Sequence, residues 1–393
     1  MIHKNRLFTP GPTQLLPSAQ LAMAAATMHH RTAEFRAIYT RVLADLKVFV
    51  GTKNDVVMFT ASGTGAMEAA MSNLTSPGDK VLVATAGKFG ERWEGLAKAY
   101  GCELETVRSP YGQTVTPQQV REQLKPDHKV LFLQATESST GVRHDVEGIA
   151  RLTKSTDTLL VADAITGLGT THFDVDSWGV DILIGGSQKA VMVPPGLAYC
   201  SVSDRAWQRM ETTKNPRYYF DLRKERKNGA KGESAYTPST ALVAALDAAL
   251  NYIREQGGGD LAAGRKLLID NAETAAAMTR AAAKALGLKL FSASSPGAAL
   301  TAIAAPDGMD SSDIVKAFRN QFGAIIANGQ GEMKGQLFRI AHLGYYDYLD
   351  TIAAIGALEQ VLASLGKDIK LGAGLQAAQQ VYAESVQPAM AAK

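Results

Sequence analysis

Short apolar runs that alternate with helical patterns constrain this chain more than any other feature. The runs are DVVMF (Asp55–Phe59), KVLVATAG (Lys80–Gly87), KVLFLQA (Lys129–Ala135), LLVADA (Leu159–Ala164), DILIGG (Asp181–Gly186) and GLAYCSVS (Gly196–Ser203). None alternates strictly between apolar and polar, and amphipathic stretches such as GTGAMEAAMSNL and ERWEGLAKAYG lie between them. Strands of that kind are buried on both faces, which indicates an α/β fold with a mainly parallel sheet between layers of helices. Ligands in such sheets sit beyond the carboxyl ends of the strands. The residues just after each run are therefore where chemistry is to be sought.

After about Tyr236 the texture changes. TPSTALVAALDAALNYIREQ reads as one long helix starting near Thr237 or Pro238. A second helical stretch follows, and then short apolar runs, ALTAIAAP and QLFRIAHLG, flank the helix pattern SSDIVKAFRNQFG. With 393 residues, about two domains are expected. The division reads as an N-terminal arm over 1–20, a large domain over 21–257, a smaller α+β domain over 258–370 and an Ala/Gln-rich tail over 371–393.

Composition narrows the partners. Hydrophobic content is 46%, charged content 20% and net charge +3, which suits a soluble globular protein and is too mild for a nucleic acid or an anionic membrane as main partner. RKERKNGAK (Arg223–Lys231) is the densest basic run and reads as a solvated loop. No stretch approaches the roughly 18 apolar residues of a membrane span, and the N-terminus lacks the apolar core of a leader. The two cysteines, Cys102 and Cys200, are far apart and lack metal spacing, so a reducing, cytoplasmic setting is expected. His29 and His30 have no metal-ligand company, so no metal site is expected. Trp93 and Trp207 read as packing residues, and His342 as either a packing residue or a wall of the site.

The strand ends carry the chemistry-bearing residues. Ser62, Gly63 and Thr64 sit where a strand turns into a helix, and free N–H groups at a helix start favour a phosphate; an ordinary turn is the competing reading. Phe89 follows the second run, where an aromatic ring either stacks on a flat heterocycle or packs in the core. Ser138, Ser139 and Thr140 offer hydroxyls after the third run, in what is either a site wall or a capped turn. Asp163 lies inside an apolar strand, where a carboxylate is costly unless paired. Its partner is a protonated ring nitrogen or, on the competing reading, the cation of a structural salt bridge. Lys189 stands alone as a charge in ILIGGSQKAVMVPPG. It is either a stray surface residue or a reactive amine, and burial would lower its pKa toward the neutral form that attacks a carbonyl. An anion cradle, a ring clamp, a carboxylate and a buried lysine have one economical explanation, a pyridoxal phosphate (PLP) site.

FTASGTGAMEAA, ESSTGV, the VADA strand, GSQKA followed by PPG, and FRIAHLG together resemble the class V aminotransferases, within them the alanine–glyoxylate and serine–glyoxylate (serine–pyruvate) group. The resemblance runs from TPGPT (Thr9–Thr13) to about Gly366. It implies the fold-type I PLP-dependent transferase fold, with a mainly parallel seven-stranded sheet and a smaller C-terminal domain. It also implies a homodimer with shared active sites. Carried over residue by residue, Lys189 matches the Schiff-base lysine, Asp163 the partner of the pyridine nitrogen, and Ser138 a hydrogen-bonding residue near the ring. Ser62, Gly63 and Thr64 match the phosphate turn, although some relatives carry histidine where Thr64 stands. Gln188 matches a contact just before the lysine. Phe89 falls where relatives often have tryptophan, and Ile165 packs on the opposite ring face. Tyr236 and Thr237 match a segment that reaches the neighbouring subunit's phosphate. Arg339 matches the arginine that binds the substrate α-carboxylate, a task its two-pronged guanidinium suits. Gly11 lies where the N-terminal segment passes the substrate.

The implied reaction is ping-pong transfer of an amino group from a small amino acid (alanine or serine) to a small 2-oxo acid (glyoxylate or pyruvate). Aspartate is the alternative donor, with Arg31, Arg217 and Arg223 as candidate partners for its second carboxylate. A cysteine desulfurase-like lyase is a rival on the same fold, but it wants a histidine before the lysine and a mobile cysteine. A nicotinamide-dependent oxidoreductase would need the full glycine spacing and an acidic residue after the second strand, and SGTGAME lacks both. A non-enzymatic subunit that keeps the fold is the remaining rival.

Overall fold

The computed structural model describes residues 2–25 and 28–391. Seven strands form the main sheet: β1 (Asp55–Phe59), β2 (Lys80–Thr85), β3 (Glu103–Arg108), β4 (Val130–Gln134), β5 (Leu159–Asp163), β6 (Ile182–Gly186) and β7 (Ala198–Val202). Their order across the sheet is β1-β7-β6-β5-β4-β2-β3, and only β7 runs antiparallel to its neighbours. The mainly parallel seven-stranded sheet is as expected.

Alternate residues along each strand enter different cores. On β2, Leu82 joins one core with Leu131, Leu160 and Leu183, whereas Val81 and Val83 join the other with Phe132, Val161 and Ile184. Both faces are covered, so neither side of a strand needs polar residues, which is why the runs do not alternate. Trp93 is fully buried against Phe132, and Trp207 is buried beneath Arg226, so both serve packing.

A three-stranded antiparallel sheet lies near the C-terminus. Its central strand, Leu337–Ala341, pairs with Leu300–Ala304 and with Ala327–Asn328. The helices Ser311–Phe322 and Tyr348–Ser364 share a core with it that includes Ile314, Phe318, Phe338, Leu358 and Val361. The N-terminal residues join the two units. Arg6–Leu7 pairs in parallel with Ala324–Ile325. Phe8 O accepts from Ala341 N at 2.9 Å, and Thr13 N donates to Gln188 O at 3.2 Å. The arm therefore ties the small sheet to the turn that follows β6.

Two local expectations are corrected, and the tail acquires an element. RKERKNG is not a loop: Leu222–Gly229 is a helix capped by Asp221, whose carboxylate accepts from Arg223 N and Lys224 N, and Leu222 and Glu225 form its buried face. The long helix expected from Thr237 or Pro238 starts at Thr240, with Ser239 as its N-cap. The Ala/Gln-rich stretch contains a helix, Ala373–Ala391, and Ala378 is fully buried with Met278, Ala282 and Ile355.

Candidate active site

The carboxyl ends of β4, β5 and β6 deliver Gln134, Asp163 and the turn carrying Lys189 to one place. Gln134 and Asp163 are register partners on adjacent strands. Together with Ser62, Gly63 and Thr64 after β1, Phe89 after β2 and Ser138 after β4, they line one cavity of about 240 Å³. Gly11, Ile165 and Gln188 line it too. Of the residues matched to the family's site, all but Arg339, Tyr236 and Thr237 thus line the same cavity, whereas Ser139, Thr140 and His342 do not.

Lys189 is 8% exposed. Burial lowers its pKa to about 8, with Arg339 and Arg92 adding to the shift and Asp163 opposing it. Its Nζ donates to the carbonyl of Pro10 in the arm, and Thr13 Oγ1 donates to its backbone carbonyl at 3.1 Å. Asp163 is pushed up by burial, against the pull of Ile165 N at 2.8 Å, Gln134, Arg92 and Lys189. A carboxylate held in so apolar a place suits a cationic N–H partner.

Gly63 starts the helix Gly63–Leu74, and Ser62 is its N-cap, although the Ser62 side chain makes no capping bond. A Cβ on Gly63 would collide with Ile165 Cδ1, so any side chain there would force Ile165 to shift. Ser62, Gly63 and Thr64 line the cavity at this helix start, and N–H groups at such a start favour an anion.

Arg339, Tyr236 and Thr237 are outside the cavity lining. Arg339 is 3% exposed. Its Nη1 donates to Ser138 O at 2.6 Å, and its Nε and Nη2 donate to Asn328 O. Burial lowers its pKa to about 10, opposed by Glu137. The guanidinium thus sits behind Ser138, which does line the cavity. Tyr236 donates its hydroxyl to Tyr218 O at 2.6 Å and stacks on Tyr219. Thr237 is exposed. Glu225 holds this segment by accepting from Ala235 N and Ser234 Oγ. His342 is fully buried and packed on Tyr346, with its Nε2 2.9 Å from Thr301 Oγ1. It is a packing residue.

Four contributors escaped the sequence reading. Gln134, Thr136 and Arg92 line the cavity. Glu137 lies behind it, fully buried, and accepts from Phe89 N at 3.1 Å, Gly90 N at 2.9 Å and Ser139 N at 3.1 Å. Gln134 and Thr136 had a usable signal, because both end or follow an apolar run. Arg92 had a weaker one: it stands one helical turn after Phe89.

The fit to PLP rests on atoms left without partners. Gln134 Oε1, Thr136 Oγ1 and Gln188 Oε1 are buried with no hydrogen-bond partner, and all three residues line the cavity. Buried polar atoms are normally satisfied, so this wall is shaped for a polar ligand. A flat aldehyde bearing a phosphate matches the donor set: Lys189 for the aldehyde, Asp163 for a ring N–H, Phe89 and Ile165 for the faces, and the Ser62–Thr64 turn for the phosphate.

The sequence model of the family described as Aminotransferase class-V matches residues 16–333. A protein of Synechococcus sp. (strain PCC 6716) named the small subunit of a soluble hydrogenase is 39% identical over 97% of this chain and 99% of its own. The L-aspartate–glyoxylate aminotransferase of Paracoccus denitrificans is 34% identical over 98% of each chain. The solved alanine–glyoxylate aminotransferase of Nostoc sp. superposes with a TM-score of 0.85 at 29% identity, over 92% of this chain and 96% of its own. Fold, cavity and relatives agree: this chain belongs to the class V aminotransferase family, whose members are PLP-dependent enzymes, and it is a transaminase.

Proposed function

We propose that the cavity holds PLP and moves an amino group from a small amino acid, alanine or serine, to a small 2-oxo acid, glyoxylate or pyruvate. The observation that carries this reading is the coincidence of Lys189, with its lowered pKa, and three unpartnered buried polar atoms in one cavity. Glyoxylate is favoured as acceptor because it is named in both transaminase relatives.

PLP, when bound, supplies an electron sink for the electrons of the substrate's α-carbon. The chain does the rest. Asp163 would hold a proton on the ring nitrogen. Lys189 Nζ would hold the aldehyde, and its amine, with a pKa lowered to about 8, would serve as the base that takes a proton from the substrate's α-carbon and returns it. Phe89 and Ile165 would flank the ring. Arg339, beside Ser138, binds the α-carboxylate, and Gly11 keeps the arm close to the lysine. Gln188 and Ser138 hydrogen-bond around the ring. Tyr236 and Thr237, held on an exposed segment by Glu225, reach the phosphate of a partner subunit in a homodimer. Among the described residues no helix is long and apolar enough to cross a membrane.

The lyase reading has no support in the cavity. Neither cysteine lines it, and burial pushes the Cys200 thiol up to about 12. Borohydride reduction of the PLP-loaded protein, followed by peptide mass mapping, should place the label on Lys189. A label elsewhere, or none, sinks the proposal. A panel of amino donors against glyoxylate, pyruvate and 2-oxoglutarate then fixes the substrates.

A further inference from the structure

We infer that Arg92 is a specificity-determining residue that binds the distal carboxylate of a dicarboxylic substrate, so that the donors include a short dicarboxylic amino acid of the aspartate type. The inference rests on the transaminase reading of the same cavity.

Arg92 lines the cavity with Lys189 and Asp163 but is itself exposed, at its rim. Among the described residues no carboxylate lies within ion-pair distance of it. Asp163, deeper in the cavity, feels its charge, and the acids on its own and the neighbouring helix are engaged elsewhere. Glu91 meets Lys88, Tyr111 and Arg108. Glu94 meets Arg108. Glu68, on the neighbouring helix, accepts from Tyr100. A guanidinium left without a counter-charge at the edge of a substrate cavity attracts anions.

The group is also held in one place. Its Nη1 donates to Thr64 Oγ1 at 2.8 Å, and its Cζ lies 4.9 Å from the centroid of the Phe89 ring. An arginine carries five N–H donors in a fixed fork, so one contact leaves most of them free for a carboxylate. Stacking on Phe89 and the bond to Thr64 orient that fork before substrate arrives, which lowers the cost of binding.

The second guanidinium near the cavity, Arg339, comes from the small sheet and stands behind Ser138. A donor with one carboxylate satisfies Arg339 and leaves Arg92 unmatched. A donor with two satisfies both. None of the arginines considered from the sequence for this task, Arg31, Arg217 and Arg223, lines the cavity. Arg31 pairs with Glu233, Arg217 donates to the carbonyl of Ser72 and Arg223 pairs with Glu211.

The test compares the wild type with Arg92→Gln and Arg92→Lys in the PLP-loaded protein. Amino transfer to glyoxylate is measured from L-aspartate and from L-alanine, and PLP affinity is titrated separately on each protein. The expected result is a fall of about 10- to 100-fold in the aspartate-to-alanine ratio of kcat/KM for Arg92→Gln, the worth of a charge-assisted carboxylate contact, with partial recovery in Arg92→Lys. An unaltered ratio overturns the inference. So does a loss with both donors that tracks a weaker PLP affinity, which would assign Arg92 to the phosphate beside Thr64. A wild type that transfers from alanine but never from aspartate overturns it too. Transfer from no amino acid at all would instead sink the transaminase reading, so the two failures are distinct.

Discussion

Gly11 lies against the side chain of Lys189: a Cβ on Gly11 would come within 2.7 Å of Lys189 Nζ and 2.9 Å of its Cδ. Gly11 also has a φ of +128°, which side chains disfavour. The arm can pass over the lysine only because nothing projects from this residue. Gly11→Ala should therefore cost about 1–3 kcal/mol of stability and displace the amine. The expected outcome is at least a tenfold loss of kcat, with substoichiometric PLP incorporation, read by visible absorbance per subunit. Full incorporation with wild-type kcat would mean that the arm yields and has no part in setting the lysine.

Lys189 makes a pH prediction with a definite sign. Its pKa in the folded chain is about 8, against an ordinary 10.5. Between those values the unfolded chain binds more protons than the folded one, so this group makes stability rise with pH across that window. Below about pH 8 the burial penalty stands in full. Lys189→Met removes it and should stabilise the PLP-free chain at pH 7 by up to roughly 3 kcal/mol. The gain should shrink toward zero as pH approaches 10.5. Urea unfolding of both proteins at several pH values checks this, and a gain independent of pH would contradict a titrating buried amine. The rate at which the PLP-free protein binds the aldehyde should likewise rise with pH, reach half its maximum near pH 8 and level off above that.

Glu137 links three parts of the site at once. Its carboxylate accepts from the backbone of Phe89, Gly90 and Ser139, and it lies close enough to Arg339 to hold up that residue's pKa. Glu137→Ala strands those buried N–H groups, each worth about 1–3 kcal/mol when left unmet. A destabilisation of several kcal/mol in urea unfolding is expected, with a raised KM for the amino acid as Arg339 and Ser138 loosen. A loss under about 1 kcal/mol would show that the turn is held by other contacts.

The parallel sheet and its site were legible for the same reason. In a sheet buried on both faces, apolar runs mark the strands, and the polar residues just past them stand out, as Asp163 and Lys189 do. What was not legible depended on contacts between distant segments. Arg92 reads as a helix-surface arginine until Thr64 and Phe89 are seen beside it. Glu137 reads as part of a turn until its carboxylate is seen at the start of the helix Lys88–Ala99. Leu222–Gly229 was mistaken for a loop because its charges outweighed the N-cap at Asp221 and the buried face of Leu222 and Glu225. Thr237 is exposed and outside its own cavity, so the role proposed for it depends on a second subunit.

That last point can be decided by mixing two inactive proteins. Lys189→Ala abolishes the amine, and Thr237→Asp sets a negative charge where a phosphate is proposed to bind. Each homodimer should lose most of its activity. If Thr237 serves the partner's site, a mixed dimer contains one site with an intact Lys189 from one chain and an intact Thr237 from the other. Random reassortment of equal amounts puts half of the dimers in the mixed state with one good site of two, so about a quarter of the wild-type activity should return. If Thr237 instead serves its own subunit's cavity, every mixed site lacks one residue or the other and no activity returns. Activity measured before and after refolding the mixture separates these outcomes, and size-exclusion chromatography confirms that dimers formed in both cases.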